Sequence, residues 1–366
     1  MINAYTIMMA LVIFLALVMR GYEAKNWKYV LLSCLLMFCL LGLRDVYKIG
    51  NDSRTSYLSS YEWMVNRNLP DMIRHYDFVN NSGFFVFMKL IHTWTKGDYQ
   101  AFVAIISAFM MISFANLIYR YSSNPLQSFC YYWGLLLYIF MFSAQKQAMA
   151  MSFLLLAFDA VMRRKPILFL LLIFIAVQFH YPSLVFLPAY LLYNLKPGKH
   201  LLVIYFIIIV LTYIFRDQIL TFMMNGYKDD GEIQQYSLEG ETFLRTKSLI
   251  MLVIIIAGLV LRKPTEEDKL YLLLMEYVAI AVLFQTFCAY SNIFERLADY
   301  YFQFAVLFIP MIFDRSVRDR SMLSYRFDTV VKTIAPYLFS GYGVYRFAIT
   351  VQGDASHFLP FRFYFQ

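Results

Sequence analysis

The chain has 366 residues, 61% of them hydrophobic and only 15% charged, with a formal net charge of +8. That balance lies far outside the soluble globular range and excludes a pair of ordinary soluble domains. The basic residues fall in short breaks between apolar runs and form no stripe on a polar domain, which excludes a nucleic-acid surface and leaves no nucleic acid among the expected partners.

Apolar runs recur from one end to the other and predict helices over 3–19, 29–43, 99–119, 126–143, 146–162, 166–180, 184–194, 200–216, 247–261, 270–290, 298–313 and 330–350. These amount to about twelve membrane spans, within a range of about 10 to 14. The first run has no basic stretch before it and no small-residue cleavage site after it, so it is expected to be a retained span. The segment 84–94, "FFVFMKLIHTW", is apolar but short, and is expected to be an interfacial or re-entrant helix. The expected fold is thus all-α: a polytopic integral membrane helix bundle, one transmembrane domain over 1–366. Cys34, Cys39, Cys130 and Cys288 lie inside apolar runs without zinc or disulfide spacing, and read as core thiols.

Orientation follows from Lys and Arg in the short loops. Alternate breaks hold Arg20/Lys25/Lys28, Arg120, Arg163/Arg164/Lys165, Lys196/Lys199, Arg262/Lys263/Lys269 and Arg315/Arg318/Arg320/Arg326/Lys332, which is 17 of the 32 basic residues. This set is expected to be cytoplasmic, with both termini outside. The loops 44–98 and 217–246 and the tail 351–366 then form one extracytoplasmic face, together with "SAQKQ", "QFHYP" and "SNIFERLADYY".

Each cluster on that face has a chemical and a structural reading. In "LRDVYKIGNDSRTSY", Gly50-Asn51-Asp52 reads as a turn, with Tyr57 beyond it. Asp52 could accept a proton from a hydroxyl or cap a helix. Arg44 could grip a diphosphate bidentately, or snorkel to pair with Asp45 or a headgroup. Lys146 and Gln147 begin a helix whose free amides and dipole suit an anion, while the alternative is a snorkelling lysine between two solvated glutamines. His180 ends an apolar helix closed by Tyr181-Pro182, and is either a cavity-facing base or a satisfied interfacial histidine. Asn292 and Glu295 read as a capping box. Arg296, Asp299 and Tyr300 share a helix face, either as a local ion pair or as a guanidinium turned to a cavity. Asp159 and Arg163 read as a structural ion pair. The external aromatics Tyr57, Tyr61, Trp63, Tyr76, Tyr290, Tyr300 and Tyr301 could stack on sugar rings. The acidic loop 217–246 reads as solvated, with no calcium-loop alternation. No Walker A, GxSxG or HExxH motif is present.

The runs "LRDVYKIGNDSRTSYLSSY", "NNSGFFVFMKLI", "SAQKQAMAMSFLLLAF", "RRKPILFLLLIFIAVQFHYPSLVFLPAYLL", "FERLADYYFQFAVLFIP" and "FLPFRFYFQ" together resemble the EpsG family, whose members are Wzy-like polymerases of bacterial exopolysaccharide, capsule or O-antigen. The resemblance implies a bundle like the GT-C-like glycan polymerases, in the bacterial plasma membrane with its active site outward. It implies a polymerase that joins undecaprenyl-diphosphate-linked oligosaccharide repeats and releases the lipid diphosphate, with no metal or cofactor. Membrane lipids, a chain-length regulator and a flippase are the implied partners. The positions carried over are Arg44, Gly50, Asp52, Tyr57, Lys146, Gln147, His180, Arg296 and Tyr300. In these roles Arg44, Lys146 and Arg296 hold the diphosphate, Gln147, Tyr57 and Tyr300 line the substrate, and Asp52 or His180 is the base. Two features depart from the family pattern: Lys146-Gln147 stands where Arg-Gln is usual, and the Asp52 to Tyr57 interval is one residue longer. An O-antigen-type ligase, a flippase or transporter, and a membrane acyltransferase are the competing readings.

Overall fold

The computed structural model describes residues 2–194, 207, 211, 214, 215, 218, 246–263, 265, 267–288, 292–315, 321–353 and 357–366, with Thr246 and Asn292 described by their backbone alone. The expected span 200–216, the acidic loop 217–246, Tyr290 and the Asn292 cap therefore lie wholly or largely outside the described residues. Among those described there are sixteen α-helices and no β-strand. They are α1 (Ala4–Met19), α2 (Trp27–Gly42), α3 (Leu58–Trp63), α4 (Leu69–Arg74), α5 (Ser82–Trp94), α6 (Tyr99–Tyr121), α7 (Pro125–Gly134), α8 (Leu137–Phe140), α9 (Gln145–Met162), α10 (Pro166–Phe179) and α11 (Ala189–Leu192). Then follow α12 (Thr246–Leu261), α13 (Lys269–Gln285), α14 (Asn292–Phe302), α15 (Ala305–Ile312) and α16 (Tyr325–Thr350). The chain divides into two compact units, Met1–Leu187 with Val331–Gln366, and Pro188–Val330, which are described separately.

The outer faces of the first unit are apolar. Helix α1 turns Tyr5, Met8, Val12 and Ala16 inward and Ile7, Leu11, Phe14 and Leu17 outward, and α10 exposes Ile167, Leu171 and Phe174. A helix on a water-facing surface would carry a polar stripe there. Helices satisfy their own backbone hydrogen bonds and can present such a face to hydrocarbon. Among the described residues α6, at 23 residues, is the helix with both the length and the apolar composition of a span; α1, α2 and α10 are apolar but shorter. The expected all-helical bundle is therefore present, and among the described residues one helix meets the length and apolarity of a span while the other apolar helices are shorter.

Several expected boundaries move, each for a local reason. The run 126–143 is not one helix: α7 ends at Gly134, Leu136 adopts a left-handed conformation at φ 62°, and only the short α8 follows. A Cβ on Gly134 would stand 2.4 Å from the Cα of Gly343, so two backbones meet there without side chains between them. The Gly134 carbonyl, released from the helix, accepts from Arg346 Nη1 at 2.8 Å. The run 184–194 is a 3₁₀ turn over Tyr181–Phe186 and the four-residue α11, because Pro182 and Pro188 supply no amide hydrogens to an α-helix. The run 298–313 separates into α14 and α15 at Gln303–Phe304, and 270–290 stops as a helix at Gln285. The loop 44–80 is largely helical, with a π-helical turn Ser53–Tyr57, α3, a 3₁₀ turn Met64–Asn66 and α4. The helix expected over 84–94 is present as α5.

Polar residues in the first unit collect at opposite ends. At one end Asp159 receives Arg163 Nε at 3.0 Å, Arg120 Nη1 at 3.6 Å and the Tyr121 hydroxyl at 2.6 Å, so the expected structural ion pair is there with two further partners. At the other end lie the start of α6, the start of α9, the end of α10 and the segment 43–57. The closing segment returns to that end: Asp45 N–H donates to Arg362 O at 2.9 Å and Tyr364 N–H to Leu43 O at 3.1 Å. Tyr5 packs edge-on against Phe142, Phe358 and Phe361 beneath it.

Candidate functional site

The chain turns at Gly50, whose φ is +92° and where a Cβ would stand 2.7 Å from the Phe142 carbonyl oxygen. A side chain would be strained there by backbone conformation and by the close approach alike. The same carbonyl accepts from Arg44 Nη2 at 3.1 Å. Arg44 is 1% exposed. Its other donors meet Ser53 Oγ at 3.2 Å, Ile49 O at 3.4 Å and Leu41 O, and the guanidinium lies 4.8 Å from the Phe142 ring centroid. It is buried instead of reaching outward, and it is not paired with Asp45, which pairs with Lys48 at 3.3 Å. Arg44 is a tether that fastens the loop to the broken segment before α9.

Ser53 continues that connection. Gln145 Nε2 donates to Ser53 Oγ at 2.9 Å and lies 3.2 Å from the Tyr99 hydroxyl, which donates to Ser53 O at 2.6 Å. One turn on, the Tyr57 hydroxyl accepts the Lys146 backbone N–H at 3.3 Å. The π-helical turn thus docks on the first turn of α9 through Ser53 and Tyr57, four residues apart on one face. Two expectations are corrected here. Gln145 and Gln147 are 1% and 2% exposed, so they are not solvated. Nor are the amides at the α9 N-terminus all free, because Gln145 N–H goes to Ser143 O at 2.8 Å and Lys146 N–H to Tyr57. An anion there would be held by the Lys146 ammonium more than by bare amides.

Helix α5 lies against this cluster. Lys146 Nζ stands 4.5 Å from the Phe85 ring centroid and 6.0 Å from that of Phe84, a cation set on aromatic faces. Phe84 in turn meets Tyr57 at 5.7 Å and Phe179 at 6.2 Å. His180 follows Phe179 and terminates α10, its N–H bonded to Ala176 O at 3.0 Å. Gly83 packs against Gln178, which accepts from the Tyr76 hydroxyl, and Asn81 Oδ1 accepts the Tyr181 N–H at 2.7 Å. Asp52, Tyr57, Lys146, Gln147 and His180 are thereby gathered at one end of the first unit.

The acids of this face sort by what they hold. Asp45 accepts the Tyr47 N–H at 3.1 Å, Asp71 pairs with Arg74 at 3.8 Å, and Asp98 caps α6 by accepting the Ala101 N–H at 3.2 Å. Asp77 accepts the amides of Asn80 and Val79 in a turn, and these bonds hold its carboxyl below the usual carboxylate range. Asp52 differs. It precedes the π-helical turn without a side-chain capping bond, and no hydrogen bond or ion pair involves its carboxylate among the described residues. Glu62 also lacks one, but it is exposed, whereas Asp52 is half-buried. The helix-cap reading of Asp52 is therefore not what the fold uses.

Arg296 and Tyr300 stand in the second unit. Arg296 is exposed on α14, and Tyr300 is fully buried. The partner of Asp299 that spacing did not suggest is Lys247, whose ammonium lies 2.5 Å from Asp299 and 3.1 Å from Glu295. Of the expected aromatic platforms, Tyr61, Tyr300 and Tyr301 are core residues, while Trp63 and Tyr76 expose a face. Ser53, Tyr99 and Gln145 were missed by sequence reading. The spacing of Ser53 and Tyr57 at i and i+4 is the one signal that could have found part of that set.

A sequence model described as the EpsG family matches residues 27–363, nearly the whole chain. No curated protein and no solved structure matches it.

Proposed function

The chain belongs to the EpsG family, and from that premise we propose that it is a glycosyltransferase of polysaccharide biosynthesis: a membrane polymerase joining undecaprenyl-diphosphate-linked oligosaccharide repeats on the extracytoplasmic face. Asp52 carries this reading: it is a half-buried carboxylate, spent on neither a cap nor an ion pair, in a turn fastened to the helix that begins with Lys146. A hydroxyl of the acceptor repeat attacks the anomeric carbon of the donor. The new glycosidic bond forms as the bond from that carbon to the phosphate oxygen breaks, and the electron pair leaves with the lipid diphosphate. The hydroxyl proton passes to Asp52 as general base. Lys146 offsets the charge that grows on the diphosphate. Tyr57 and Phe84 hold Lys146 and Asp52 in register. We assign no step to Tyr300, because its side chain is buried.

A second reading, a carrier of the lipid-linked repeat, draws on the helix interruptions at Gly134–Leu137 in one unit and Gln303–Phe304 in the other. Carriers place such breaks around a substrate site. Here the Gly134 carbonyl at the first break is taken by Arg346, and the Phe142 carbonyl just after α8 by Arg44, which favours a structural origin.

The test replaces Asp52→Asn and Lys146→Ala in cells that depend on this gene, and measures the length distribution of glycan still on the lipid carrier. The expected outcome is full accumulation of both proteins, single repeats outside the membrane, and for D52N a rate lower by about 10²–10⁴-fold. A normal ladder from both variants would overturn the assignment of these residues. Deletion of the gene discriminates the activities: single repeats trapped on the cytoplasmic side would mean a carrier, and long polymer stranded on the lipid would mean a ligase.

A further inference from the structure

The cations of residues 44–98 sort as the acids do. Arg44 is bound to backbone carbonyls and Ser53, Lys48 is paired with Asp45, and Arg74 with Asp71. Arg67 lies 3.3 Å from the centre of the Trp63 ring, and Lys89 Nζ donates to Met64 O at 2.6 Å. Lys96 is exposed. Arg54 has no such place. Its guanidinium makes no hydrogen bond, ion pair or ring contact among the described residues, yet it is half-buried and its Nε atom is sealed from solvent without an acceptor. A buried guanidinium N–H left unsatisfied costs more than a neutral one, so a group in this state asks for an anionic acceptor.

Position adds to this. Arg54 follows Ser53, the residue bound to Gln145 and Arg44, and Asp52 precedes it. As the residues before and after the inward-facing Ser53 on a helical turn, the two side chains leave on either side of it. The bonds that hold Ser53 to Gln145 therefore hold both its neighbours, Asp52 and Arg54, at the first turn of α9. A guanidinium offers paired donors to phosphate oxygens, which an ammonium cannot, so Arg54 supplies the bidentate geometry that Lys146 lacks.

We propose that Arg54, and not Arg44, is the arginine of the first loop that binds a phosphate group of the donor, here a lipid diphosphate. The proposal rests on the polymerase reading. Arg44 is the positioning residue beneath it, and the two arginines divide the roles that spacing assigned to one.

The same chemistry would suit the phosphate of an ordinary phospholipid headgroup, so the experiment separates the two sources. Full-length protein in phosphatidylcholine nanodiscs is titrated with farnesyl diphosphate, with farnesol as the neutral control, and the titration is repeated in discs containing phosphatidylglycerol. Arg54→Gln should raise the Kd for farnesyl diphosphate by about 10- to 100-fold, matching the range for losing hydrogen bonds to a charged group. Arg54→Lys should fall between, because the charge remains and the fork does not. Arg67→Gln should bind as the wild type, and thermal unfolding of R54Q should stay close to the wild type because its side chain makes no hydrogen bond or ion pair to lose. Equal affinity of R54Q and wild type would overturn the inference. So would abolition of the R54Q effect by phosphatidylglycerol, which would make Arg54 a headgroup anchor. If wild type binds farnesyl diphosphate no better than farnesol, the lipid-diphosphate reading itself fails. That outcome is distinct from one in which wild type binds and R54Q binds equally.

Discussion

The loop at 44–57 and helix α14 are built from the same residue types, and the fold uses them in opposite ways. Each brings an arginine, an aspartate and a tyrosine into a short stretch. In the loop the arginine at position 44 is sunk among carbonyls and the carboxylate of Asp52 stands uncommitted among the described residues. In α14 the carboxylate of Asp299 is taken by Lys247 and Arg296 stands exposed. The difference lies in which opposite charge or acceptor the tertiary structure carries to each group. Buried charges persist only where such a partner arrives.

The largest stability effect should come from Arg44. Arg44→Lys keeps the charge but cannot reach four acceptors from one planar fork, and is expected to destabilise the first unit by about 3 kcal/mol. Loss of monodisperse protein on mild heating in detergent would register it. If R44K unfolds as the wild type does, the tether is not holding the loop and the contrast with α14 collapses.

A smaller effect is expected in the second unit. Asp299→Asn leaves Lys247 with a weakened acceptor, for a loss of about 2 kcal/mol. A double-mutant cycle with Lys247→Met should return a coupling of about 1–3 kcal/mol. Polymer length per folded molecule should be unchanged, since the pair is read as structural. Shortened polymer at full stability would move α14 into the active site.

Tyr57→Phe should have the smallest effect, about 0.5–1.5 kcal/mol, for the hydrogen bond from the Lys146 backbone N–H. It sharpens the comparison because it loosens the loop from α9 without touching a charge. The expected result is a modest shift of the glycan ladder to shorter lengths. An unchanged ladder would reduce Tyr57 to a helix cap.

Legibility differs in the same way along the chain. Helices α1, α2, α6, α9 and α10 were readable almost to their ends, as was the Asp159–Arg163 pair, because apolar runs and i, i+4 charges are local signals. The interruption after Gly134 was not, since its causes, Gly343 and Arg346, approach from a helix far along the chain. The helical character of 53–74 was hidden by its polar and aromatic composition, which looks like a loop until Ser53 and Tyr57 are docked. Asp52 and Lys146 were correctly brought to one end by alternation of charge across the apolar runs. Gln145, Ser53 and Tyr99 were invisible, because a buried amide and two hydroxyls carry no periodic signal.

What the sequence determined by itself is the helical membrane character, the order of polar breaks and membership of the family. A segment in hydrocarbon must satisfy its backbone hydrogen bonds within itself, and that requirement is written locally as length and apolarity. Tertiary structure alone decided which charged residue is a fastening and which is left uncommitted among the described residues. Arg44 finds its acceptor on Phe142, 98 residues away, and no local pattern encodes an approach of that kind.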